Sequence, residues 1–245
     1  MLNIENTEVF GWEAAIRGMR NPMNSWDKSD STFSCYTCDG CFWEQEVHVD
    51  PFDDGEFEGS INWCPHSPCR IGENDLKLMK TLSKAGSDHG KFLRMINVTV
   101  DITAPLYWWK EFDTYKVGTV ANSCSTMHKI HAKEFTLDDF SHERLTYYDE
   151  DGELCRDWLG TLEDLIDDLN FAREKFLETK DKKYWWQMIQ LLPSSYNQKR
   201  TVQLNYEVLR HMYFARRNHK LDCWHTLCDW MLTLPYFKEV VIGRE

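Results

Sequence analysis

Nothing in the 245 residues of this chain approaches the roughly 20-residue apolar run that a membrane-spanning helix requires, so no such span is expected. Also lacking are a phosphate-cradling P-loop, the glycine fingerprint of dinucleotide-binding folds and the Gly-x-Ser-x-Gly elbow of the hydrolases, which closes the motif-based routes to those activities. No internal repeat and no low-complexity linker divides the chain. Positive charge is in short supply. The 28 Lys and Arg stand against 40 Asp and Glu, a net charge of −12, and a surface of that sign argues against general nucleic-acid binding, which needs cations to displace counterions. The opening Met-Leu-Asn-Ile-Glu-Asn-Thr-Glu carries acids and no basic-then-apolar region, so a secretory signal is not expected. The expected compartment is therefore the cytoplasm, where the 9 cysteines read as thiols or metal ligands before disulfides.

What the chain has in quantity is rings: 11 Trp, 10 Tyr and 13 Phe. Rings of that size serve a dense core, an oligomer interface, or a pocket that stacks on flat ligands. With 42% hydrophobic and 28% charged residues the composition is that of a globular protein, and the length suits one domain over residues 1–245. Within it, residues 31–70 form a Cys-rich segment with clustered Gly, Asp and Pro, read as an insertion.

Hydrophobic spacing predicts the elements. Val9 to Met19 reads as a helix ended by Asn21-Pro22, and Asn74 as the cap of a helix carrying Leu76, Met79 and Leu82 before Gly86. Ile96, Val98, Val100 and Ile102 alternate with polar residues, the pattern of a half-buried strand. Pro105 then opens a helix with Leu106, Trp109 and Phe112, capped by Thr103 or Ala104. Val117 to Ala121 suits a short strand and Tyr148 to Gly152 a turn. Helices are expected over Asp157–Thr179, Lys182–Leu192, Thr201–His219 and Leu221–Leu234. The sum is an α/β (α+β) protein.

Two clusters could carry chemistry. Cys35, Cys38 and Cys41 are spaced by two residues each, and Cys64 and Cys69 follow with His66 between them. Thiolates two residues apart can face one tetrahedral ion, so a structural zinc site fits; an iron–sulfur cluster and plain reduced thiols stand as alternatives. The second cluster is basic: Lys199, Arg200, Arg210, Arg216, Arg217 and Lys220. In an acidic protein it can hold an anion such as a phosphate, or it can be a solvated helix face. The pairs His128/His131 and His219/His225 make no convincing metal or triad arrangement.

Leu191-Leu192-Pro193 followed by Asn205, Leu209 and Arg216 resembles the carboxy-terminal part of the flavin-dependent thymidylate synthases. That part runs from a Leu-Pro step through an Asn-x-x-x-Leu helix to an arginine and a closing helix. The strand Ile96–Ile102, Pro105 and the aromatic helix occupy the places that precede the family's signature, so the resemblance covers residues 85–240. It implies that family's fold, a mixed sheet packed with helices, with FAD bound where the subunits of a homotetramer meet. It also implies reductive methylation of dUMP, with methylenetetrahydrofolate and NADPH as co-substrates. Carried over by position, Lys116, Thr119 and Asn205 would contact the flavin nucleotide, and Arg216 would contact the pyrimidine base as the catalytic residue.

The signature Arg-His-Arg-x-x-Ser-x-Asn-Glu-x-Ser-x-Arg-Tyr is rewritten here. It falls on Thr114 to Met127, where Lys116 keeps a positive charge and Thr119 a hydroxyl. Thr114 and Tyr115 replace its leading Arg-His, Ala121 and Asn122 its Asn-Glu, and Thr126 and Met127 its closing Arg-Tyr. Losing two arginine forks removes contacts contributing about 1.5–3 kcal/mol each. Lys129, Arg200 and Arg210 are candidates to supply charge to the substrate instead, and Tyr115 or Trp109 to stack on a flat ring. Other readings are a flavoenzyme of the same fold with another nucleotide substrate, and a non-catalytic nucleotide-binding or interaction protein.

Overall fold

The computed structural model describes residues 2–33, 70–149 and 152–243. In chain order the elements are β1 (Asn3–Phe10), α1 (Trp12–Arg20), α2 (Glu73–Lys84), β2 (Asn97–Pro105), α3 (Leu106–Phe112), β3 (Val120–Ser123), β4 (Thr146–Tyr148) and β5 (Leu154–Asp157). Then come α4 (Leu159–Thr179), α5 (Lys182–Leu191), β6 (Asn197–Asn205), α6 (Tyr206–Arg216) and α7 (Asp222–Met231). One sheet has the strand order β1-β2-β6-β3, and β4 and β5 form a separate antiparallel pair. The chain divides into two compact units.

The first unit comprises Met1–Glu5, Asp101–Thr114 and Ala121–Thr201. On α4 the buried residues Leu162, Ile166, Leu169 and Ala172 recur every three or four positions and form one stripe, which packs with Phe135, Phe140 and Met188. Asp181 caps α5 by accepting the Lys183 N–H at 3.0 Å. On α3 the rings of Trp108, Trp109 and Phe112 are no more than 2% exposed, and the Trp109 indole N–H donates to the Gln198 carbonyl at 2.9 Å. Trp109 is therefore a core residue and has no face for a ligand. Between β4 and β5 the Gly152 N–H donates to the Asp149 carbonyl at 3.1 Å, with Gly152 at φ +81°.

The second unit comprises Asn6–Val100, Tyr115–Val120 and Val202–Glu245. Its core is aromatic: Trp12 meets Tyr206 edge-on at 5.4 Å, Tyr206 meets Phe237 likewise, and the Tyr206 hydroxyl donates to the Pro235 carbonyl at 2.7 Å. Between α1 and α2 lies a buried ion pair, Arg20 Nε to Asp75 Oδ1 at 2.6 Å, with both side chains no more than 4% exposed. The second oxygen of Asp75 accepts from the Ser29 and Ser31 hydroxyls and from the Asp30 and Ser31 N–H groups. Burial pushes this carboxyl up, but the hydrogen bonds of Ser31, Ser29 and Arg20 and the arginine charge outweigh it and hold it below its ordinary value. An antiparallel bridge joins Thr32 to Arg70, the Thr32 N–H donating to the Arg70 carbonyl at 3.0 Å.

Several expectations need correction. Val9 and Phe10 belong to a strand, because Gly11 at φ +95° breaks the chain there; an added Cβ would collide with the Met95 carbonyl. The cap of α2 is supplied by Asp30, whose carboxylate accepts from the Asn74 and Asp75 N–H groups at 2.9 and 3.1 Å. Thr201 to Asn205 end strand β6 instead of beginning a helix. That strand points Gln198 inward on the side of Val202 and Leu204, which hides its alternation. Pro105 itself, in extended conformation, takes the cap position of α3 in place of Thr103 or Ala104. β2, α4, α5 and α7 fall where their spacing put them, to within a few residues, and β3 overlaps the end of its expected stretch, whereas β4 and β5 have no counterpart among the expected strands; Val98, Val100 and Ile102 are wholly buried.

Candidate functional site

Helix α6 organises the candidate residues of the second unit. Asn205 caps it, its Oδ1 accepting from the Val208 N–H at 3.1 Å. Tyr206, Leu209 and Met212 are buried on one face at helical spacing. The stretch from Tyr115 to Thr119, in the rewritten signature, lies against this helix at both ends. At the start of the helix, Gly118 holds φ +76°, and a Cβ there would approach Val208 Cγ2 at 3.1 Å and Asn205 Nδ2 at 3.2 Å. Only a residue without a Cβ, and tolerant of positive φ, fits that approach without displacement. At the far end the Arg216 Nε donates to the Tyr115 hydroxyl at 3.0 Å.

Two features of this stretch suit an anionic ligand. Thr119 Oγ1 is buried and has no hydrogen-bond partner, which is uncommon for a hydroxyl removed from water. The Lys116 side chain, next to Tyr115, is exposed and brings a positive charge to the same stretch. Gly118, which Thr119 directly follows, approaches Asn205 and Val208 at the N-terminal end of an eleven-residue helix. There the partial positive charge of the aligned peptide dipoles favours anions.

Arg216 is oriented by two rings. Besides the bond to the Tyr115 hydroxyl, its guanidinium lies 4.6 Å from the centre of the Trp224 ring and 5.6 Å from that of Tyr115, and the two rings stand 6.1 Å apart. Trp224 comes from the first turn of α7 and is fully buried. Sequence reasoning missed it; the only signal was a tryptophan eight residues after an arginine, across a helix break.

Two other arginines of the basic cluster, Arg200 and Arg210, meet carboxylates, and the Arg217 guanidinium lies 5.3 Å from the centre of the Phe214 ring. Arg210 Nη2 donates to Glu207 Oε1 at 2.7 Å, with both side chains nearly enclosed, and His211 Nε2 lies 3.2 Å from the same oxygen. In the first unit Arg200 Nη1 donates to Asp113 at 2.7 Å and Nε to Gln198 Oε1 at 3.0 Å, while its guanidinium lies 4.2 Å above the Trp109 ring. Lys199 pairs with Glu5 and Asp101. Lys129 is exposed. The structure thus gathers Lys116, Thr119, Asn205, Arg210 and Arg216 around α6 in one unit, and puts Lys129 and Arg200 in the other.

Cys35, Cys38, Cys41, Cys64 and Cys69 lie outside the described residues. Among the described residues no group of three or more His, Cys, Asp or Glu side chains is placed to hold a metal ion, and no helix is long and apolar enough to cross a membrane.

The fold is that of the flavin-dependent thymidylate synthases. Two crystal structures of the enzyme ThyX from Helicobacter pylori, both with FAD and dUMP, superpose on this chain with a TM-score of 0.60. The first is 12% identical and the match covers 98% of each chain; the second is 11% identical and covers 100% of this chain and 99% of the other. At such identity the likeness establishes the fold alone. No family model matches the sequence, and no curated protein matches it.

Proposed function

We propose that the protein is a flavin-dependent enzyme acting on a pyrimidine nucleotide, with reductive methylation of dUMP to dTMP as its reaction. The observation that carries this reading is the Tyr115–Thr119 stretch pressed along α6, with an unpartnered buried hydroxyl at one end and an oriented guanidinium at the other. The donor set fits FAD: Lys116, Thr119 and the Asn205 amide would hold its anionic part, and Gly118 leaves room for that approach. When bound, reduced flavin supplies the hydride, NADPH reduces the flavin, and methylenetetrahydrofolate supplies the one-carbon unit. The chain's own contribution is positioning and electrostatics, with Arg216 meeting the base. Arg200 and Arg210, bound to Asp113 and Glu207, serve the reading less directly. The working assembly on this reading is a homotetramer, and four of the five cysteines hold a structural zinc on the strength of their spacing.

The carboxylate pairs of Arg200 and Arg210 favour a second reading, a flavoenzyme of this fold that takes another nucleotide, since the arginine-poor signature has no ready substitute in either residue. The visible spectrum separates the possibilities. Protein reconstituted with FAD and dialysed is expected to retain flavin absorbance, and dUMP is expected to perturb it. Retained flavin that responds to another nucleotide but not to dUMP selects the second reading. A folded protein that keeps no flavin sinks both. Metal analysis of the same sample is expected to find about one zinc per chain.

A further inference from the structure

Arg216 ends α6, and a side chain of its length at a helix end ordinarily samples many rotamers. Here two aromatic residues restrict that freedom. The Tyr115 hydroxyl accepts from Nε at 3.0 Å, which fixes the rotation of the guanidinium plane, and the Trp224 indole at 4.6 Å limits its tilt. Trp224 is itself fixed, being fully buried on α7, with the His219 ring packed edge-on against it at 6.1 Å. The two rings come from opposite sides in sequence, one from the rewritten signature and one from the closing helix, and they converge on a single guanidinium.

We propose that Tyr115 and Trp224 are positioning residues, which pre-set the guanidinium of Arg216 in the orientation that meets the pyrimidine nucleotide. The inference rests on the functional reading of Arg216 given above. It gives the altered signature a role, in that Tyr115 works through an uncharged hydroxyl on a neighbouring arginine. A planar fork held in one orientation loses less freedom on meeting a planar partner, so affinity gained this way should vanish when the fork is gone.

The test is a double-mutant cycle on the full chain loaded with FAD, read by dUMP titration. Tyr115→Phe keeps the ring and removes the acceptor, and is expected to weaken binding about tenfold. Arg216→Lys keeps the charge and removes the Nε donor. In that background Tyr115→Phe is expected to change binding by less than about twofold. Trp224→Phe in the same two backgrounds provides a second cycle should Tyr115→Phe fold poorly. Equal losses in both backgrounds, or no loss from Tyr115→Phe, overturn the inference and leave the functional reading standing. A wild-type protein that retains FAD yet binds no pyrimidine nucleotide overturns the functional reading and this inference with it.

Discussion

Arg216→Ala is expected to lower kcat/KM for dUMP by about 10²–10³-fold, the scale seen when one oriented donor to a reacting centre is removed. Flavin retention should be almost unchanged. The reason is geometric. Asn205 caps one end of α6 and Arg216 closes the other, and eleven helical residues span about 16 Å, so the two ends address different parts of a bound assembly. Steady-state kinetics together with absorbance after dialysis check both halves. Loss of flavin in parallel with activity would mean that the arginine supports the helix instead of the nucleotide.

The largest loss of stability is expected from Asp75→Ala. Its carboxylate accepts from Arg20, from the Ser29 and Ser31 hydroxyls and from two backbone N–H groups, all within 3.2 Å. Removing it leaves the Arg20 charge buried at 4% exposure, a situation that costs about 3–5 kcal/mol. For a chain of this length that lowers the melting temperature by on the order of 10 °C. The sign of the pH dependence follows from the carboxyl being held below its ordinary value of 3.8. The folded form binds the proton less readily than the unfolded one. The stabilisation is therefore fully present above that ordinary value and is lost as the pH falls through the lower, folded one. Acid titration of thermal stability should show a shallower fall for Asp75→Asn than for wild type below about pH 4.

Residues whose surroundings are local were legible in the sequence. The alternation of Ile96 to Ile102 needs only its own pleat, and the stripe Leu162, Ile166, Leu169 needs only its own turns. What escaped depends on distant partners. Asp30 caps a helix that begins at Glu73, and Gln198 faces inward because Cys124 and Trp109 take up its side-chain and backbone groups. The site shows the same division. Arg216, Asn205 and Thr119 could be named from a spaced resemblance, whereas the Trp224 clamp and the commitment of Arg200 to Asp113 exist only once the chain has folded back. A count of positive charges ranks the arginines equally; their folded neighbours tell them apart.

The bridge between Thr32 and Arg70 brings together two positions far apart in the chain, close in sequence to the points where Asp30 and the start of α2 are tied. The same few residues also serve the buried Arg20–Asp75 pair, so a substitution that loosens Thr32 or Arg70 would release the first turn of α2 and the carboxylate that orders it together.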